Sequence, residues 1–335
     1  MTRYPAVRLT LFILTCVSCS VFLSSCSDDC ATCPSDDNTP TGWFRIEPSP
    51  TTRNLSDVFA VDANLVYAAG DTGTVLKTTD GGKTWSILNV PTEESLTSVF
   101  FTSAVTGWIT GYGGVIYKTT DGGTTWESQA SGTLTPIRDV FFVESNTGWV
   151  GGGPGPGDPG SGIIINKTDG GDTWTPQLTG VRANDLFFLD AETGWAAFSG
   201  PFHKTTDGGT TWLERATGAP GWLSAVFFID ASTGWVCGNL GFLAKSADGG
   251  ETWTSKESGT TWNIRDLHFF DANTGWVVGA GGYLAKTTDG GDHWMFRTSG
   301  TTDPLAKMSW ADSRTGWIVG ANGMILKTVT GGEPE

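Results

Sequence analysis

Positive charge is scarce in this chain: 20 Lys and Arg stand against 35 Asp and Glu, a formal net charge of -15. Such a surface repels nucleic acid and anionic lipid head groups, so a polyanion-binding role is disfavoured. Histidine is rarer still, with only His203, His268 and His293, scattered along the chain without metal-ligand spacing; local packing or surface roles are expected, and no metal or cofactor. Cysteine is concentrated near the start. Cys30 and Cys33 form a C-x-x-C with no second pair and no following His, which reads as a small disulfide or two free thiols in a tether rather than a haem or metal site, and Cys237 reads as a core filler. No stretch carries helical periodicity, and the one long apolar run, Leu9 to Phe22, is too short and wrongly flanked for a stable membrane span.

That run follows Arg3 and Arg8 and ends in Leu23-Ser24-Ser25-Cys26, a secretory signal whose last four residues resemble a bacterial lipobox. The resemblance implies cleavage before Cys26 and acylation of that cysteine. Residues 1–25 are then a signal peptide, 26–41 an acylated tether and 42–335 the folded domain. Ser27-Asp28-Asp29 resembles an acidic tag that directs some lipoproteins to the cell surface, so the expected address is the bacterial envelope, in the outer membrane and facing outward. Loss of Arg3 and Arg8 with the signal leaves 18 basic against 35 acidic residues.

What the chain has in abundance is repetition, with 47 Gly and 16 Trp. "KTTDGGKTW" at Lys77 recurs with small changes, and its tryptophans Trp85, Trp126, Trp174, Trp212, Trp253 and Trp294 are spaced by 41, 48, 38, 41 and 41 residues. A second word, Thr-Gly-Trp, ends at Trp108, Trp149, Trp195, Trp235, Trp276 and Trp317, with Tyr67 in register one period earlier. Apolar runs starting near Val58, Val99, Val140, Leu186, Val226, Leu267 and Met308 precede it and count seven units. Each unit holds four Val-, Phe-, Trp- and Thr-rich segments, here called a to d, separated by Gly, Asn and Asp. The pattern predicts an all-β fold, a seven-bladed β-propeller of four-stranded blades. A catalytic motif is needed once, so the repeated box, with acids Asp80, Asp121, Asp169, Asp207, Asp248 and Asp289, reads as a structural fastener; one acid per box is too few for a calcium site. The last unit lacks its box tryptophan, since residue 335 is Glu, whereas Trp43 stands 15 residues before Val58. The N-terminal segment Trp43 to Pro48 is therefore expected to supply strand d of the seventh blade and close the ring.

The box together with "VFFVESNTGWVGG"-type runs resembles the propeller family of the photosystem II assembly and stability factor, over residues 42–335. That resemblance implies a non-enzymatic, protein-binding propeller with an arginine-lined patch. The lipobox and the acidic composition depart from photosynthetic members. The same box is similar to that of sialidases, and "FRIEP" at Phe44 to Pro48 resembles a sialidase arginine word, but with Glu47 inserted and Arg45 on an outer strand; of the tyrosines Tyr67, Tyr112, Tyr117 and Tyr283, only Tyr112 escapes a framework strand. A glycan-binding or glycan-hydrolysing propeller is the alternative.

The box face repeats from blade to blade, so the variable face, formed by d-to-a and b-to-c loops, is the expected working surface. There "GGGPGPGDPGSG" at 151–162 lengthens one b-to-c loop, and Arg53, Arg138, Arg182, Trp222, Trp262, Arg265 and Lys307 fall in the d-to-a loops. Their bland reading is solvated residues paired with acids such as Asp139 and Asp266. The sharper one is an aromatic platform of Trp222 and Trp262 with Arg138 and Arg265 nearby, because Trp and Arg are the usual interface anchors. The expected partner is a protein or a glycan at the envelope, reached by a monomeric propeller tied to the membrane through its lipid.

Overall fold

In a computed structural model the described residues are 42–154, 161–168, 173–180 and 182–333. They form seven four-stranded antiparallel sheets, one per predicted unit. Strands a begin the blades at Leu55–Ala60, Leu96–Phe101, Ile137–Glu144, Ala183–Phe188, Leu223–Phe228, Ile264–Phe269 and Leu305–Trp310. Among the described residues the only helical pieces are three-residue 3-10 turns at b-to-c connections, such as Tyr112–Gly114 and Asn239–Gly241. The ring closes through the N-terminus: Phe44–Arg45 pairs with Ile325–Thr328, Phe44 opposite Lys327 and Arg45 opposite Leu326. The expected segment Trp43 to Pro48 supplies the strand, although only two of its residues make regular ladder pairs.

The two repeated words are the two halves of one inter-blade joint. Every Thr-Gly-Trp tryptophan is buried, and four of the six stack flat on an aromatic ring of the next blade: Trp108 on Phe142 (3.7 Å), Trp149 on Phe188 (3.6 Å), Trp195 on Phe228 (3.7 Å) and Trp235 on Phe269 (3.6 Å), whereas Trp276 meets Trp310 tilted at 6.0 Å and Trp317 packs against Ala60. Tyr67 stacks flat on Phe101 at 3.8 Å. The next blade's box tryptophan meets that same ring edge-on, as Trp126, Trp174, Trp212, Trp253 and Trp294 do at 5.9 to 6.3 Å. Flat and edge-on contacts together satisfy the ring quadrupoles; the two stacked rings are buried, and the box tryptophan is buried at Trp126 and Trp174 and half-buried at Trp212, Trp253 and Trp294. Glycine precedes the tryptophan because a Cβ at Gly107 would lie 2.5 Å from the Phe101 ring. At the closing junction Trp43 takes the missing box position, edge-on to Trp310 at 5.2 Å and to Trp276 at 5.6 Å.

Hydrogen bonds lock the same joint. Trp195 Nε1 donates to the box carbonyl of Gly249 (2.9 Å), Trp235 Nε1 to Gly290 (2.9 Å), and both Tyr67 Oη and Lys77 Nζ to Gly122 (3.0 and 2.8 Å). Within the box, Asp80 Oδ1 accepts from the Thr84 N–H (2.9 Å) and Thr78 Oγ1 (2.8 Å), and Oδ2 accepts from Thr84 Oγ1 (2.6 Å). Asp121, Asp207, Asp248 and Asp289 repeat the arrangement, His293 replacing the threonine in the last. These bonds favour the charged form, so the carboxyls of Asp80, Asp121 and Asp248 are held down at about 2. Gly81 and Gly82, at φ of 71° and 85°, supply the turn that a side chain would strain. Asp169 lies outside the described residues, as do Cys26, Cys30, Cys33 and all of 1–41. Cys237 is fully buried, and burial pushes its thiol well up, which suits a packing role.

Candidate functional site

Each strand a opens with a bulge, and that bulge decides which side chains reach the variable face. In blade 3, Ile137 pairs with Gly152 and Asp139 with Gly151, leaving Arg138 as the extra residue. Arg265 is the extra residue of blade 6, between the pairs Ile264–Gly279 and Asp266–Val278. Both arginines therefore stand at the mouth of the ring on strand ends rather than in loops. Lys307 is displaced further from its expected place. It occupies the position after the bulge, paired with Val319, which in other blades holds Asp57, Asp139, Asp185 or Asp266, and it faces the central channel instead of a docking surface.

On the variable face two cation–aromatic stacks stand side by side. The Arg138 guanidinium lies over the Tyr112 ring at 6.0 Å, and its Nε donates to the Gly153 carbonyl at 3.2 Å. The Arg182 guanidinium lies over the Trp222 ring at 5.5 Å, and its stem packs on Gly153, where a Cβ would come within 2.5 Å of Arg182 Cβ. Gly153 opens the lengthened b-to-c loop, whose residues 155–160 lie outside the described residues. The loop thus begins between the two arginines. Burial first, and the neighbouring Arg138 charge second, push the Arg182 pKa down from its usual value. Its Nε is buried without a hydrogen-bond partner among the described residues. Neither arginine forms an ion pair among the described residues. Asp139 and Asp266, the acids expected to neutralise such arginines, face the channel, because alternation past the bulge turns them inward.

Trp222 and Trp262, expected to form one platform, make no ring-to-ring contact with each other among the described residues. The b-to-c turn of blade 5 stands between them: the Asn239 N–H donates to the Trp222 carbonyl, and the Leu240 N–H to Asn263 Oδ1 beside Trp262 (both 3.0 Å). Trp262, 60 % exposed, lies over Gly281 of its own blade, and Arg265 is exposed nearby in sequence. Arg53 donates from Nη1 to the Thr72 carbonyl at 2.9 Å and stays exposed, so it belongs to a different sector of the face. Tyr112 is a site residue that sequence reasoning placed off the framework strands without assigning it a role. It is the residue over which Arg138 is held.

The channel is a second concentration of chemistry. Asp57, Asp139, Asp185 and Asp266 each give one oxygen to a backbone N–H of a following blade, at Val99, Leu186, Val226 and Met308 (all 2.8 Å). Lys307 Nζ donates to Asp185 at 2.6 Å and lies 3.4 Å from Asp266. Ser98 Oγ sits 2.9 Å from Asp57 and 3.0 Å from Asp139, but its one proton can serve only one of them. Burial pushes Asp57 and Asp185 up to about 7, with the Lys307 charge opposing it. Among the described residues no group of three or more His, Cys, Asp or Glu is arranged to hold a metal ion.

A model of the family described as photosynthesis system II assembly factor YCF48 matches residues 83–183 and 253–334, more than half of the chain. The chain belongs to this family. The structure titled "YCF48 bound to D1 peptide" is 23 % identical, with a TM-score of 0.72 over 87 % of this chain and 98 % of that one. YCF48 from Cyanidioschyzon merolae is 22 % identical, with a TM-score of 0.71 over 86 % of this chain and 99 % of that one. An ancestral GH74 enzyme is 16 % identical, with a TM-score of 0.64 over 85 % of this chain but only 46 % of its own length. At these identities the likenesses show the shared propeller fold. No curated protein sequence matches.

Proposed function

We propose that the mature chain is a non-catalytic scaffold of the bacterial cell envelope, anchored through an acylated Cys26, that captures an extended acidic segment of a protein partner. The observation that carries this reading is the pair of stacked, unpaired arginines, Arg138 on Tyr112 and Arg182 on Trp222, at the root of the lengthened loop. An aromatic face holds a guanidinium flat and leaves its edge donors for a carboxylate, and a buried donor without a partner gains most from one. Membership in an assembly-factor family supports a scaffold, and a YCF48 structure carrying a D1 peptide supports peptide capture. A non-catalytic role is supported by the state of the acids. Box carboxylates are taken up by their own turns, and each channel carboxylate commits one oxygen to a backbone N–H of a following blade.

The test is selection from a displayed library of random peptides on the domain 42–335, with the Arg138→Glu/Arg182→Glu variant in parallel. Acidic sequences enriched by the wild type and lost by the variant support the proposal; enrichment without acidic bias, or equal in both, overturns it. A second reading, glycan capture, rests on the exposed ring of Trp262 and predicts glycan-array signals removed by Trp262→Ala.

A further inference from the structure

The central channel, on the far side of the Asp57–Lys307 layer from the arginine mouth, holds a cavity of about 260 Å³. Its lining runs from the carboxylates down to Val61 and Ala311 at the box end of strands a, and includes neither Arg138 nor Arg265. The wall is a collar of six aromatic rings. Phe59, Phe100, Phe141, Phe187, Phe227 and His268 follow one another around the axis at centroid spacings of 4.8, 5.3, 5.4, 5.2 and 4.8 Å, each tilted by 48 to 54° from the next. All six belong to the same position of strand a in consecutive blades, and Ser309 of blade 7 leaves the gap. His268, the one polar collar member, has no hydrogen bond to either ring nitrogen among the described residues. It packs against the rings of Phe227, Phe270 and Trp310, and burial keeps it neutral, its pKa pushed down to about 3.

We infer that this collar is a binding site for a small free organic cation of the alkylammonium class. An aromatic wall closed at one end by anionic groups attracts such a cation through ring quadrupoles and net charge together, and its apolar methyl or methylene groups fill the cavity that a hydrated ion would not. Four carboxylates close the end against a single ammonium, Lys307. A bare divalent cation is disfavoured, because each carboxylate already spends one oxygen on a backbone N–H, which leaves at most four oxygens for a sphere of six or more ligands, and the Lys307 ammonium already sits on two of them. The seat is also linked to protons. Asp57 and Asp185 hold protons up to a pH of about 7, so an entering cation competes with them, and its affinity rises as pH climbs through that range.

Choline and its uncharged isostere 3,3-dimethyl-1-butanol, titrated calorimetrically into the wild-type domain at pH 6 and pH 8, separate charge recognition from mere filling of a hole. The inference predicts choline tighter than the isostere by about tenfold, the gap widening at pH 8, with protons released on binding. Phe141→Leu keeps an apolar wall and should weaken choline severalfold at unchanged melting temperature. Equal affinities for the two probes, no binding of either, or full choline affinity in a folded Phe141→Leu domain would overturn it. Wild-type binding alone settles the charge comparison if that variant fails to fold. Peptide capture on the arginine face is read separately, so the two proposals stand or fall independently.

Discussion

Replacing Lys307 with methionine removes the ammonium that offsets four carboxylates around the channel axis while keeping most of the side-chain volume. Breaking a buried ion pair from one side costs about 3–5 kcal/mol when the remaining charge stays ionised. Here the remaining carboxyls can escape by binding protons, so the loss depends on pH. Asp57 and Asp185 have folded-state pKa values raised from 3.8 to about 7. A raised acid makes the folded state bind more protons than the unfolded one, so the wild type itself loses stability as pH rises from about 4 to about 7. Three units on one carboxyl correspond to about 4 kcal/mol. Without Lys307 the same acids keep their protons to higher pH, so that decline continues beyond 7. Urea unfolding followed by tryptophan fluorescence at pH 5, 7 and 9 should give a small difference between variant and wild type at pH 5. The difference should grow to about 3–5 kcal/mol at pH 9. A difference independent of pH, or largest at pH 5, would refute the placement of Lys307 as counter-charge to these acids.

Other outcomes follow from the joints. Trp43→Ala removes the ring that takes the missing box position against Trp276 and Trp310; for a half-buried tryptophan the loss should reach about 3 kcal/mol by chemical denaturation, and an unchanged midpoint would contradict ring closure through the N-terminus. Asp80→Ala should lower the melting temperature while leaving peptide capture intact in the folded fraction. Because box carboxyls are held at about 2, their contribution should persist above pH 4 and fade only as pH falls toward 2, visible as a wild-type midpoint that converges on the variant's in acid. Cys26→Ser should release the protein from the membrane fraction, and mass spectrometry of the wild-type N-terminus should find an acylated cysteine; an unmodified N-terminus elsewhere would remove the anchor from the account.

The blades were legible because the joint is written twice in nearly every unit, once as Thr-Gly-Trp and once as the box, and the three rings that meet at most junctions tolerate little substitution. Trp43 was legible for the same reason, as a ring out of place in sequence but in register in space. The site was less so. A single bulged residue at the start of each strand a shifts alternation by one, which sends Arg138 and Arg265 to the mouth and Lys307 into the channel, and no local composition marks it. Arg182 and Trp222 stand 40 residues apart, on successive blades, so their stack exists only after the ring is assembled. The collar was hidden in plain sight: Phe59, Phe100, Phe141, Phe187 and Phe227 lie inside the apolar runs that open each unit, and only their common register turns them to the axis.

Hydrogen-exchange mass spectrometry of the domain 42–335 with a selected acidic peptide tests the assignment of the working face most directly. Protection confined to 112–114, 136–139, 182–184 and 220–222, and absent from the box turns at 78–85 and 119–126, is the predicted result. Protection of the box turns with the arginine face unchanged would contradict it.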